Sequence, residues 1–337
     1  MKLATFEKTT PIGAVRRIGV VHGDQIIDLN FAYALYLTEQ NDPRPYEMAG
    51  LIVPPDMIRF FEGGTASKAA ATTVVAWVVE RLADKVTITG ARGETIVHAL
   101  DEVKLLAPVP EPTNVFATMN SDRHMLNGLE KFGLGLPKAW HDTPAVYRST
   151  NSGVAGSEDP ILWPSYTEQL DYELECGIYI GKRGMNIPVE RASEYIAAYT
   201  IYNDVSARDV LKKEISLYTG PAKGKCFANS NLMGPWAVTP DEVDPSNMRM
   251  VARINGEVWS EGNLNDIHWS FPQLIAHISK DEMLRPGDFI SGGCIAFGSG
   301  LELDRWIQPG DVVELEIEGI GVLRNRVERR RGLDGVE

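Results

Sequence analysis

Three prolines within five positions, Pro108, Pro110 and Pro112, interrupt the chain about a third of the way along its 337 residues. Each removes a backbone donor and fixes φ, so neither a helix nor an internal strand can run through the segment. An extended linker is expected there. The chain then divides into a small N-terminal unit over 1–107, a larger one over 108–330 and a short tail over 331–337.

Before the prolines, short apolar runs are broken by Thr10-Pro11-Ile12-Gly13 and by His22-Gly23-Asp24, which predicts a β-meander whose second turn closes a hairpin. Helical spacing follows over 31–36, 55–62 and 67–82. After the prolines, strand signals dominate, over 172–180, 199–203, 235–239, 248–254, 289–290 and 312–318. Asn255-Gly256 is a two-residue hairpin turn, because both residues tolerate positive φ. Only 189–198 and 271–279 have helical spacing in this half. The fold class expected is α+β, mainly β.

Charge narrows the function. Lys plus Arg number 33 against 46 Asp plus Glu, a net −13, the wrong sign for neutralising nucleic-acid phosphates. The longest mostly apolar stretch, Ala69 to Val79, falls short of the ~20 residues that cross a bilayer. The first residues turn polar at once, without the apolar core of a secretory signal, so the expected location is cytoplasmic. Cys176, Cys226 and Cys294 are too scattered for a zinc knuckle and too few for a disulfide framework. No Gly-x-Ser-x-Gly elbow occurs, and Gly220-Pro221-Ala222-Lys223-Gly224-Lys225 lacks the spacing of a phosphate loop. Serine hydrolases and nucleotide hydrolases are thereby set aside.

The chemistry-bearing segments are acidic. Along 171–180, alternation puts Tyr172, Leu174, Cys176, Ile178 and Ile180 on one face and Glu173 with Glu175 on the other, the two carboxylates roughly 7 Å apart along the strand. Taken alone, the pattern describes a strand wetted on its acidic side. Downstream, Asp204 follows the apolar run Ile201-Tyr202-Asn203 and precedes Arg208. Taken alone, it is a turn or N-cap residue. Converging, three carboxylates without histidine or thiolate suit a hard divalent cation, Mg²⁺, Mn²⁺ or Ca²⁺, rather than zinc.

These segments, in this order, resemble the fumarylacetoacetate hydrolase family over 114–327. Glu173-Leu174-Glu175 with Ile180-Gly181-Lys182, and Tyr199 to Asp209, are similar to its two metal-binding segments. Lys223-Gly224-Lys225-Cys226-Phe227 followed by Met233-Gly234-Pro235-Trp236 is similar to its lysine loop. Leu284-Arg285-Pro286-Gly287-Asp288 and Val312 to Gly321 also match. The resemblance implies a mixed β-roll catalytic domain, usually in a homodimer, with a metal on Glu173, Glu175 and Asp204. It implies that His124, opening a lid over Gly128 to Trp140, is the base. The partner that orients His124 is expected to be Glu302 in Gly300-Leu301-Glu302-Leu303, since the family's alternative position carries Asn127 here. Lys225 and Arg208 would hold an oxyanion or substrate carboxylate, and Tyr147 would contact substrate.

Three departures turn the expectation away from fumarylacetoacetate itself. Ala117 stands where that enzyme has a fourth metal-ligating aspartate, Leu211 where it has an oxyanion-hole glutamine, and Ser291-Gly292-Gly293-Cys294 where relatives usually carry Thr-Gly-Thr-Pro. The expected activity is metal-dependent hydrolysis of a carbon–carbon bond in a β-diketone or acylpyruvate-like substrate. The rivals are a decarboxylase, isomerase or sugar-acid dehydratase of the same family, and a non-catalytic protein that binds metal or a small molecule.

Overall fold

The computed structural model describes residues 1–329 apart from 12, 85 and 132, so the 331–337 tail and Ile12 of the first turn lie outside it. Lys2–Thr10, Gly13–His22 and Gln25–Asp28 form the expected antiparallel meander, with Leu3 opposite Val20 and Val20 opposite Ile27. Gly23 turns the second hairpin at φ 61°, a conformation open to glycine without the Cβ clash.

The meander is continuous with the second half of the chain. Lys2–Thr10 pairs with Asn231–Val238, Lys2 facing Val238 and Leu3 facing Ala237. The same sheet continues through Ile196–Asp204, Glu173–Ile180, Phe289–Ser299 and Val115–Met119 to Ala145–Ser149. The Pro108 to Pro112 segment, expected to be an extended linker, is irregular, as its prolines require, and it packs against the N-terminal meander. Pro108, Val109 and Pro112 are buried, and Thr5 donates its hydroxyl to the Pro108 carbonyl at 2.6 Å.

Helices Leu29–Glu39, Met57–Glu62 and Gly64–Ala83 match the spacing signals, and Pro45–Ile52 adds one more, with proline at its first turn, where the missing N–H costs nothing. The helix expected over 189–198 is corrected. Only Val189–Ala192 is α-helical, and from Ile196 the chain joins the sheet, Ala198 opposite Tyr179. Pairing against a central strand overrides a local helical pattern.

Two layers cover that sheet. A five-stranded sheet of Glu257–Asn263, Arg249–Ile254, Val312–Ile317, Gly321–Arg329 and Ile161–Trp163 encloses the core containing Leu174, Cys176, Ile178 and Ile180. Asn255 and Gly256 take φ of 53° and 82° in its hairpin, as their sequence requires. On the opposite face, Tyr179, Tyr202 and Phe289 join the apolar cluster of the N-terminal helices, with ring centroids 5.4 Å apart for Tyr179–Phe289 and 5.0 Å for Tyr202–Phe289. Glu173 and Glu175 share the Tyr179 face by alternation. One end of that face is sealed by aromatic rings and the other is acidic.

Candidate active site

The acidic face is not wetted, contrary to the simplest reading of its sequence. Every residue of Glu173–Ile180 is buried, because this strand lies in mid-sheet with a layer on each side. Glu175 sits opposite Tyr202, and that register brings Asp204 beside Glu173 on the same face. Glu173, Glu175 and Asp204 each offer an oxygen within 4.8 Å of the others'.

Two buried cations face this trio. Lys225 Nζ donates to Glu173 Oε2 at 2.7 Å and to Asp204 Oδ2 at 3.0 Å. Arg208 Nη2 lies 2.8 Å from Glu173 Oε1, while its Nε donates to Asp171 Oδ2 at 2.8 Å. Arg208 therefore pairs with Asp171 and Glu173, not with Asp204 or Asp209. Lys225 and Arg208 outweigh burial at Glu173 and hold its carboxyl below the usual range. Glu175 has no such partner, so burial, then the charges of Asp204 and Glu173, push it well up. Burial likewise raises Asp204, against the pull of Lys225.

The donor set fits a divalent ion. Asp171, Glu173, Glu175 and Asp204 bring four buried carboxylates against the two cations, and a charge of +2 would restore neutrality. Asp204 Oδ1 is buried without a hydrogen-bond partner, and such an atom is costly unless something coordinates it. All three ligand candidates are hard oxygen donors, which suits Mg²⁺, Mn²⁺ or Ca²⁺.

His124 stands in the first turn of Asp122–Glu130, where the Ser121 hydroxyl accepts from the His124 N–H at 3.2 Å. Its Nδ1 lies 2.7 Å from Glu302 Oε2, and its Nε2 lies 3.7 Å from Glu173 Oε1. The Glu302 side chain, on the short helix Gly300–Leu303, is buried, and Asn127 Nδ2 and the Phe297 N–H each donate to its Oε1 at 2.9 Å. These donors, with His124 foremost, outweigh burial and keep the Glu302 carboxyl below its ordinary range. An ionised Glu302 accepts a hydrogen bond from Nδ1–H, which fixes that tautomer and leaves the Nε2 lone pair free to accept a proton.

Tyr147 Oη donates to Asp204 Oδ2 at 2.5 Å, so its hydroxyl orients a metal-ligand candidate as well as lining the cavity. Ala117 is paired opposite Tyr147 in the sheet and fully buried, with no donor to offer an ion. Three further residues belong to the site. Asp171 accepts from Arg208 and from the N–H groups of Gly300 and Leu301 at 2.8 and 3.0 Å, tying the arginine to the helix that carries Glu302. It is the first of three acids alternating at 171, 173 and 175, a signal present in the sequence. Asn127 lies one helical turn from His124, which also could have revealed it. Ser291 donates a short hydrogen bond to Glu175, and no local pattern announces it.

Above these groups opens a cavity of about 750 Å³, lined by His124, Tyr147, Glu173, Arg208 and Lys225 and by apolar residues of the two nearest helices. The Gly128 to Trp140 stretch contributes Leu134, Gly135 and Pro137 to its wall. The far end of that stretch is fastened: Trp140 Nε1 donates to Asp122 Oδ1 at 2.7 Å, and His141 Nε2 lies 3.0 Å from Asp122 Oδ2.

Residues 114–328 match the family model described as fumarylacetoacetate (FAA) hydrolase C-terminal. An uncharacterized protein of Staphylococcus aureus strain USA300 is 32% identical over 237 residues, 69% of this chain and 74% of its own. Two solved structures share the fold across 98% of this chain and 100% of theirs. One is maleylpyruvate hydrolase from Sphingobium sp. SYK-6 in complex with manganese(II) and pyruvate, 23% identical with a TM-score of 0.68. The other is 5-carboxymethyl-2-hydroxymuconate delta-isomerase from Mycobacterium smegmatis, 24% identical with a TM-score of 0.65.

Proposed function

The chain belongs to the fumarylacetoacetate hydrolase family, and on that premise we propose that it is a metal-dependent hydrolase cleaving a carbon–carbon bond in an acylpyruvate-like or β-diketone substrate. The observation that carries this reading is His124, with Nδ1 on Glu302 and Nε2 turned toward Glu173. A base placed there reaches a water beside the keto-acid head of a substrate. Decarboxylation needs no activated water, and an isomerisation would use the same base to move a carbon-bound proton instead.

Glu173, Glu175 and Asp204 would hold the divalent ion, which supplies Lewis acidity toward the oxygens of the substrate head. His124 Nε2 accepts a proton from water as hydroxide adds to the acyl carbonyl, and Glu302 stabilises the imidazolium. The bond between that carbonyl and the neighbouring carbon then breaks, and the imidazolium returns its proton to the departing carbon. Arg208 and Lys225 offset negative charge on the substrate carboxylate and on the oxygen that gains charge, a service costing roughly 10²- to 10³-fold when one donor is lost. The lid keeps bulk water from the site.

The test is loss of ultraviolet absorbance from a panel of acylpyruvates with Mn²⁺ or Mg²⁺, followed by identification of the products. Two carboxylic fragments support hydrolysis. One rearranged product supports isomerisation, the second reading, which the likeness to an isomerase fold favours. Carbon dioxide points to decarboxylation, and no metal-dependent change in any substrate leaves a binding protein. We read the working unit as a cytoplasmic homodimer, which light scattering of the purified protein checks for assembly.

A further inference from the structure

We propose that the cavity takes a keto acid whose far end is an apolar chain or aryl group, rather than a second carboxylate. The inference rests on the keto-acid reading for the head of the substrate and adds the chemistry of its tail.

The helix Arg208–Ser216 carries the argument. Arg208, Leu211 and Ile215 all line the cavity, and their spacing of three and four residues sets them in a row on one helix face. The row starts at the guanidinium beside Glu173 and continues with Leu211 and Ile215, while Lys212 and Ser216 of the same helix also line the cavity. From Arg208 to Ile215 it advances about 10 Å, the length of roughly six to eight chain carbons. The facing wall repeats the gradient: His124 stands at the polar end, and Met125, Leu129, Leu134 and Pro137 line the cavity beyond it. Leu211 and Leu129 are both buried and Leu134 is exposed, so the apolar surface is most sheltered around the first two. A cavity with convergent polar groups at one pole and apolar walls at the other matches a ligand with one charged head. Lys212, an exposed residue, also lines the cavity and offers a cation to a terminal carboxylate, so such a carboxylate is the occupant to compare against.

The experiment is calorimetric binding, in the presence of Mn²⁺, of pyruvate, 2-oxobutanoate, 2-oxopentanoate, 2-oxohexanoate and 2-oxooctanoate, with 2-oxoglutarate and 2-oxoadipate as diacids of matched length. Affinity is expected to rise about fourfold per methylene, the gain from taking one methylene out of water. Each diacid is expected to bind more weakly than the monoacid of its length. Leu211→Asn and Ile215→Asn should each flatten the series. A flat series, or tighter binding of the diacids, overturns the proposal. A climbing series with no acylpyruvate cleaved keeps the apolar tail and removes hydrolysis. Cleavage with a flat series does the reverse, and failure of every 2-oxo acid to bind overturns both.

Discussion

At the residue scale, the site depends on which charges are left without partners. Lys225 and Arg208 serve Glu173 first, and Glu175 is left with a serine hydroxyl. An ionised Glu175 therefore destabilises the metal-free protein. Its folded pKa is raised, so the stabilisation is present at acid pH and is lost as pH climbs above the ordinary carboxylate range. An ion that requires the carboxylate to ionise binds best in that same window. Added Mn²⁺ should raise the melting temperature on the order of 5 °C at a hundredfold excess over its Kd, with a larger rise near pH 8 than near pH 5. Asp204→Asn should abolish most of the shift in the same melts. His124→Asn should lower kcat about 10²- to 10⁴-fold while leaving the Mn²⁺ melting shift in place, since His124 is not among the ligand candidates. Steady-state rates beside melting curves check both halves of that expectation. Glu302→Gln should cost about 10²-fold or more in kcat, because an amide cannot stabilise the imidazolium.

At the element scale, the lid stretch and the His124 helix are fastened to each other through Asp122. Its carboxyl lies below the usual range because Trp140 donates to it; burial opposes that effect, and His141 adds to the lowering. Trp140→Phe removes the indole donor while keeping an aromatic ring in place. KM should rise roughly three- to tenfold, and protease cleavage within 128–140 should quicken, if closure of this segment is what holds substrate. A rate of cleavage equal to that of the unaltered protein would count against a lid. How legible these elements were differs. The Phe271–Ile278 helix and the Asn255-Gly256 hairpin follow local chemistry and stand where their residues place them. The 189–198 helix does not, because Ile196 to Tyr199 gain more from pairing with Ile178 and Tyr179 in mid-sheet than from helical spacing.

At the scale of the whole molecule, the N-terminal residues complete the sheet that holds the site. Lys2–Thr10 covers an edge of Asn231–Val238, and Leu3, Ile18 and Phe60 close over Tyr179, Tyr202 and Phe289. A chain starting at 108 should expose that aromatic face and an unpaired strand edge, so it should bind a hydrophobic dye and aggregate where the full chain does not. Local alternation and ligand chemistry, both properties of neighbouring residues, let the sequence alone determine the α+β class, the hairpins, the acidic strand and the kind of ion its carboxylates suit. Only the tertiary structure decided that Asp171 ties Arg208 to the helix of Glu302, that Ser291 meets Glu175, and that the acidic strand is dry. Those facts depend on the register and burial of strands distant in sequence, and both are set when the layers pack.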